Sequence, residues 1–224
     1  MFCPNCSKKI SEDSKFCEYC GEKVSTNSGL NISQKKDKYQ IPEERWAEIC
    51  FYIAKELDGV RTKWFENAVK ILESSQENKD FENKIKIKNK NLGGDGEFAI
   101  KAYQLYQASS ALSAKEYIPP ERGRHFADLL YGYVCGKDID QCIKYLKRYD
   151  EVAGDGGTQL SRISFDIAGY ITGNPAPLIE GLLLTEYIVL LSFYSQAVVT
   201  EAFGDKETTE KLLQGADKFL NRRR

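Results

Sequence analysis

Four cysteines near the start of the chain have the residue type and spacing of a metal site. Cys3 and Cys6 form one Cys-x-x-Cys pair, and Cys17 and Cys20 form a second pair after ten intervening residues. Each pair can close a tight turn that presents two thiolates, and two such turns facing each other complete a tetrahedron. Zn²⁺ takes this closed four-thiolate geometry where its role is structural. The spacing therefore predicts one structural zinc ion at these cysteines.

Two other uses of four cysteines compete with zinc. Iron binds the same ligands in rubredoxin-like sites, but an electron-transfer protein would not need the large domain that follows. Two disulfides would require an oxidising compartment, whereas Met1 is followed almost at once by the first cysteine pair rather than by a secretory signal. The pattern favours zinc over both alternatives, and we expect the protein to work in the reducing cytoplasm.

The residues around the cysteines resemble the short zinc ribbons found at the N-terminus of many bacterial and archaeal proteins. Those ribbons usually carry two Cys-x-x-Cys-Gly turns. Residues 17–21 match this pattern fully, and the first turn has Ser7 in place of the glycine. The resemblance implies a zinc ribbon over residues 1–24, about a tenth of the chain. It implies no particular task, because such ribbons are attached to unrelated proteins.

A short cationic run in the middle of the chain is a candidate site for an anionic ligand. It contains Arg122, Arg124 and His125, the single histidine of the sequence. The arginines would hold the anion, and the histidine would change its charge near neutral pH. The competing interpretation is the exposed first turn of a helix that begins after Pro119 and Pro120. Cations are unfavourable at that end of a helix, which keeps the ligand-binding interpretation open.

Basic residues are otherwise concentrated in the alternating segment 84–90 and in the arginine tail 222–224. The lysines of the segment are Lys84, Lys86, Lys88 and Lys90. Their alternation with isoleucine and asparagine predicts a short strand or a basic loop near residues 81–97. Both places are candidate nucleic-acid contacts. The ribbon argues against this use, since residues 1–25 hold equal numbers of lysines and acids and a Zn²⁺ on four thiolates adds about two negative charges.

The remaining sequence shows no assembled catalytic constellation. Cys50, Cys135 and Cys142 lie on apolar helical faces, where a free cysteine acts as a small hydrophobic residue. The glycine-rich residues 93–96 lack the Lys-Ser/Thr pair of a phosphate-binding loop. These observations favour a protein that is not an enzyme.

Composition and periodicity indicate how the chain is organised. Its 224 residues are 42% hydrophobic and 29% charged with a net charge of −1, which suits one good-sized domain beside the ribbon and does not suit a general nucleic-acid coat. Residues 25–40 are polar and predict a flexible linker. The most apolar stretch, residues 178–203, contains three glutamates and therefore predicts a buried helix, with no membrane span.

From residue 41 to residue 224 the apolar positions recur at helical spacing. They predict an all-α domain of seven or eight helices, so the whole protein is mainly α with a small zinc ribbon at its N-terminus. Gly59 is predicted to end the first helix. Asn174, followed by Pro175, and Asp205 are predicted to begin the last two.

Three functions are compatible with this organisation. The first is a zinc-binding adaptor, in which the ribbon docks on a protein partner and the helical domain engages a second partner. The second is a nucleic-acid-associated regulator that uses the lysines of residues 84–90 and the C-terminal arginines. The third is an enzyme whose site lies among the helices.

Overall fold

The computed structural model describes residues 41–74, 85–151 and 156–221. These residues belong to the second of two units into which the chain divides, Tyr39–Arg224, here called the helical body. Its helices are α1 (Trp46–Ser74), α2 (Gly94–Lys115), α3 (Gly123–Cys135), α4 (Ile139–Asp150), α5 (Gly156–Thr172), α6 (Leu178–Ala202) and α7 (Lys206–Asn221). The described residues contain no strand, and the predicted all-α class is confirmed. The predicted ribbon, residues 1–24, and linker, residues 25–40, lie outside the described residues.

Helix α6 is the centre of the helical body. It packs against α1, α2, α5 and α7. Its side chains are apolar on nearly every face, as expected of a helix surrounded by other helices. Among the described helices it is the one that is long and apolar enough to cross a membrane, and 44% of its most apolar window is buried inside the body. Its packing agrees with the predicted core helix.

Helix α1 runs unbroken through Gly59, so the predicted helix end at this glycine is wrong. The buried face of the helix continues from Leu57 to Trp64 on both sides of the glycine. Between them lies Arg61, which is also buried. Its guanidinium donates to Asp58 and, over 3.3 Å, to the Gln104 side chain of α2. Packing of this continuous face outweighs the small helical penalty of one glycine.

The Gly59→Ala variant is expected to raise the free energy of unfolding by about 1 kcal/mol, because glycine inside a helix costs about 0.5–1 kcal/mol relative to alanine. A Cβ atom at this position would meet no other atom within 4 Å. Urea unfolding followed by circular dichroism measures the change. A destabilised variant would show that the helix ends at Gly59, as the sequence predicted.

The two predicted helix starts near the C-terminus have different outcomes. Asp205 precedes α7 and accepts a hydrogen bond from the backbone N–H of Thr208 at 3.2 Å, which confirms the predicted cap. Helix α6 begins at Leu178, so the predicted start at Asn174 is wrong. Asn174 instead forms a turn, since its side-chain oxygen accepts from the N–H of Ala176 at 3.0 Å and its amide donates to Glu180 at 3.2 Å.

The basic segment forms no strand over its described part. Residues 85–93 are neither helix nor strand and bend at Asn91, and residues 94–97 already form the first turn of α2. The backbone N–H groups of Lys88 and Asn89 both donate to the carbonyl of Ile171 at 2.8 Å, and the Asn89 side chain donates to the carbonyl of Tyr170 at 2.6 Å. Of the two predicted alternatives the loop is therefore observed, and it is fastened to the C-terminal end of α5.

Candidate functional site

The predicted zinc ligands lie outside the described residues. They are Cys3, Cys6, Cys17 and Cys20. Lys84 and the arginines of residues 222–224 lie outside them as well. Within the described part of the chain, no group of three or more histidine, cysteine, aspartate or glutamate side chains could hold a metal ion. The zinc prediction therefore concerns the N-terminal unit alone.

The three described lysines of the basic segment share one exposed side. In an extended chain successive side chains point to opposite faces. Lys86, Lys88 and Lys90 are accordingly exposed, whereas Ile85 is buried. The Nζ atom of Lys90 lies 2.6 Å from a carboxylate oxygen of Glu73, so one of the three cations is paired within the protein. The arrangement is a short basic row on a loop that hydrogen bonds hold in place.

The predicted anion site is divided by the structure. The Arg122 guanidinium lies 2.8 Å from one carboxylate oxygen of Glu43, and the imidazole of His125 lies 3.3 Å from the other. The His125 ring also contacts the edge of Trp46, with ring centroids 5.6 Å apart. Arg124 lines a separate cavity with Glu116. Arg122 and His125 thus both contact the carboxylate of Glu43, whereas Arg124 lies apart from them in the lining of another cavity.

A polar cleft forms where α4, α5 and the start of α2 meet; we call it the aspartate cleft. Its volume is about 630 Å³, and its ionisable lining residues are Asp95, Tyr145, Arg148, Asp166 and Tyr170. Among these residues, Asp166 has a partner within the protein for each of its carboxylate oxygens. One of its carboxylate oxygens lies 2.8 Å from the Arg148 guanidinium, and the other accepts a hydrogen bond from the Tyr149 hydroxyl at 3.3 Å.

Burial controls the ionisation of the cleft residues. It raises the pKa of Asp166, although the Arg148 charge and the Tyr149 hydrogen bond act in the opposite direction. Burial, together with the charges of Asp95 and Asp166, raises the pKa of Tyr145 to about 12. Burial likewise raises the pKa of Tyr149, so both tyrosines remain protonated donors at neutral pH. The cleft combines hydrogen-bond donors with a partly desolvated carboxylate, which is a setting for binding a polar ligand.

A glycine shapes one side of the aspartate cleft. The ring of Tyr170 lies across the first turn of α2 so closely that a Cβ atom on Gly96 would overlap it. The Tyr170 hydroxyl donates to the carbonyl of Asn91 at 3.1 Å. The glycine-rich residues 93–96 therefore make room for the Tyr170 ring rather than forming a phosphate-binding loop.

Sequence reasoning missed Asp166, Arg148 and Tyr145. The available signal was the position of Asp166 between Ile163 and Ile167, both of which are fully buried. An acid inside an apolar helical stripe needs a partner, because an unpaired buried charge is costly. The sequence pattern therefore predicts that Asp166 has a polar partner. It does not identify that partner as Arg148, because Arg148 belongs to a different helix.

The Asp166→Asn variant is expected to flatten the pH dependence of stability. The folded protein binds the Asp166 proton more tightly than the unfolded chain does, because the folded-state pKa lies above the ordinary value of 3.8. The free energy of unfolding contributed by this group therefore falls as pH rises from 3.8 through the folded-state pKa. Urea unfolding between about pH 4 and about pH 7 measures the slope. Asp140→Asn, at an exposed acid of α4, is the matched control, and equal slopes in both variants would contradict the prediction.

The three described cysteines are core residues, as their apolar surroundings in the sequence predicted. All three are buried free thiols. Burial raises the pKa of Cys50 to about 12. The thiols of Cys135 and Cys142 share a hydrogen bond, which together with burial raises the pKa of Cys135. The same hydrogen bond lowers the pKa of Cys142, so burial and a raised pKa make Cys50 and Cys135, but not Cys142, poorly suited to be nucleophiles.

Comparison with known proteins gives one match. Residues 2–24 fit the family model of a zinc-ribbon domain. These residues are a zinc ribbon. The match confirms the resemblance drawn from the cysteine spacing, and a zinc ribbon implies zinc binding. No curated protein matches the chain, and no solved structure matches it.

Proposed function

We propose that this protein is a zinc-dependent interaction protein in which the ribbon docks on one protein partner and the helical body engages a second. The observation that carries the proposal is an exposed aliphatic patch at the start of α6, formed by Leu178, Ile179 and Leu182. Their side chains are 63%, 43% and 55% exposed. Three large aliphatic side chains that are close together on one helix and open to water are typical of a contact surface.

The patch is exposed because the opposite side of the same helical turn makes the packing contact. Gly181 is buried against the Phe165 ring of α5, and Glu180 is buried beside Asn174. Leu178, Ile179 and Leu182 flank this buried pair and lie together on the opposite face, since residues three and four apart share a helix face. Outward positions on a helix normally favour polar side chains. Aliphatic side chains at these outward positions suit a protein partner.

The charge of the ribbon also supports protein docking. Residues 1–25 contain four lysines and four acids. One structural Zn²⁺ on four thiolates would add about two negative charges. A small rigid module with a net negative charge is better suited to a protein surface than to phosphates. The free thiols Cys50, Cys135 and Cys142 suit a reducing compartment such as the cytoplasm.

The proposal is tested by affinity capture of the tagged full chain from its native cells, with and without nuclease. The Cys17→Ser/Cys20→Ser variant removes two zinc ligands, and the Leu182→Lys variant places a charge in the patch. Phe51→Lys is the control, because Phe51 is 60% exposed but lies on α1. Circular dichroism establishes that each variant is folded.

The expected result is that the two variants lose different nuclease-resistant partners and the Phe51 control loses none. If both variants keep every partner of the wild-type protein, the adaptor role is refuted.

A second candidate, nucleic-acid binding, is favoured by the exposed row of Lys86, Lys88 and Lys90. Binding driven by phosphates weakens steeply as salt is raised, whereas a mostly apolar protein contact does not. Replacing Lys86 and Lys88 with glutamine would reduce the slope of log affinity against log salt by about 1 for each lysine that binds a phosphate. Nuclease-sensitive partners with this salt dependence would rank nucleic-acid binding above the adaptor role.

A further inference from the structure

A cavity lies between α1 and α6 and has one residue of α7, Leu220, in its lining; we call it the α1–α6 slot. Its volume is about 770 Å³, within the range of ligand-binding pockets. The residues that line it are Val60, Lys63, Trp64, Asn67, Lys70, Ile71, Ser74, Tyr187, Leu190, Tyr194 and Leu220. It lies apart from the aspartate cleft and shares no lining residue with it.

The wall of the slot at Trp64 is apolar because the indole N–H already has an acceptor in the protein. The indole of Trp64 stacks on the ring of Tyr187, with centroids 5.5 Å apart, and its Nε1 donates to the Tyr187 carbonyl at 3.0 Å. Leu190 lies beside them and is buried. The deep wall therefore offers carbon and aromatic surface.

The rim on α1 is basic. Lys63 and Lys70 are seven residues apart, two helical turns, so both stand on the same face about 10 Å from each other. Both are exposed. None of the residues that line the slot is acidic. On the opposite wall, burial and the nearby charge of Asp217 raise the pKa of the Tyr194 phenol, so this side chain is uncharged at neutral pH.

The contact between α1 and α6 beside the slot favours a thin ligand over a helix. Its apolar lining side chains are buried or half-buried, apart from Leu220 of α7. Helices α1 and α6 already touch at the Trp64–Tyr187 stack. An amphipathic helix is about 10–12 Å wide with its side chains and would rest on the rim, whereas a single alkyl chain can lie between the two helices.

We propose that the α1–α6 slot binds a free long-chain carboxylate, with the alkyl chain against Trp64 and Leu190 and the carboxylate at Lys63 or Lys70. The apolar interior buries the chain, and the two ammonium groups select an anionic head group over a cationic one. This site goes beyond the adaptor role, because neither the ribbon nor the exposed patch on α6 takes part in it.

The test uses the full chain carrying Trp46→Phe, which leaves Trp64 as its single tryptophan. Monomeric dodecanoate is titrated while Trp64 fluorescence is recorded. The expected result is a saturable change with one ligand per chain. Dodecyltrimethylammonium, which has the same chain length and the opposite charge, is expected to bind at least tenfold more weakly, since its head group would face two lysines.

The Lys63→Met/Lys70→Met variant keeps the apolar stems of both lysines and removes their charges. It is expected to weaken dodecanoate binding about tenfold. Each exposed lysine contributes a modest ion-pair free energy, and the two contributions add. Lys137→Met/Lys144→Met is the matched control, because these exposed lysines have the same separation in sequence and lie away from the slot. The control is expected to bind as the parent does.

Four outcomes would overturn the proposal. They are no saturable fluorescence change, equal binding of the two amphiphiles, equal loss of affinity in the two lysine pairs, and a response to vesicles of anionic lipid without one to monomeric dodecanoate. An acidic amphipathic peptide that binds at Lys63 and Lys70 where dodecanoate does not would assign the slot to helix docking instead.

Discussion

The Gly181→Ala variant is expected to lower the free energy of unfolding by about 2 kcal/mol, because inserting a methyl group into a packed core typically costs about 1–3 kcal/mol. Gly181 lies in α6 where α5 crosses it, and the Phe165 ring rests against its backbone. A Cβ atom at residue 181 would overlap that ring, including the ring carbon nearest the backbone of α5. Neither helix can withdraw easily, since α6 is held by three other helices.

The Gly59→Ala variant is the matched control for this prediction. Both substitutions add one methyl group at a glycine inside a helix, so they share the gain in helix propensity and differ in what the methyl group meets. The two variants are therefore expected to change stability in opposite directions in urea unfolding. Phe165→Leu in the Gly181→Ala background should recover part of the loss, and this double-mutant cycle measures the overlap directly. Equal stabilisation by both alanines would contradict the packing at Gly181.

Removal of zinc is expected to unfold the ribbon and leave the helical body folded. In ribbon-sized peptides the apparent free energy of zinc binding is about 10–16 kcal/mol, and it is at the same time the free energy of folding. Phe2, Phe16, Ile10 and Val24 are the few large apolar side chains close to the ribbon cysteines. So small an apolar set cannot hold the ribbon together without the metal.

This prediction is checked by metal analysis and by nuclear magnetic resonance of the full chain before and after chelation. The expected metal content is one zinc per chain, and chelation should collapse the ribbon signals while the signals of α1–α7 persist. The Cys17→Ser/Cys20→Ser variant should lack zinc, whereas Cys135→Ser/Cys142→Ser, a pair buried in the helical body, should retain it. Bound iron, or a helical body that melts on chelation, would contradict the prediction.

Periodicity predicted the helices well and their ends less well. Every apolar position assigned to the first helix, such as Ile49 and Ile53, is buried. The helix end predicted at Gly59 was wrong because the buried face of α1 continues beyond the glycine through Arg61, a charged residue, to Trp64. An arginine can take that position when Asp58, Glu97 and Gln104 surround it, and two of those partners are supplied by α2. The periodicity of apolar residues cannot predict contacts with residues that are distant in sequence.

The candidate sites likewise could be predicted only where their residues are close together in sequence. The match to a zinc-ribbon domain was predictable because the four cysteines are close together in sequence and their spacing is specific. The run at residues 122–125 suggested an anion site, yet the anion beside Arg122 and His125 is Glu43, about eighty residues earlier. The aspartate cleft joins Asp95, Tyr145 and Asp166 from three helices. Only the packing of those helices brings their side chains together.

The place of α6 in the chain determines when the protein can fold during synthesis. Residues 178–202 leave the ribosome after α1, α2 and α5, yet all three of these helices pack against them. A nascent chain that ends before residue 178 therefore holds five helices, and three of them, α1, α2 and α5, lack the helix that they pack against. Such a chain exposes surface that favours aggregation or chaperone binding. The helical body consequently cannot complete its core until α6 has been synthesised.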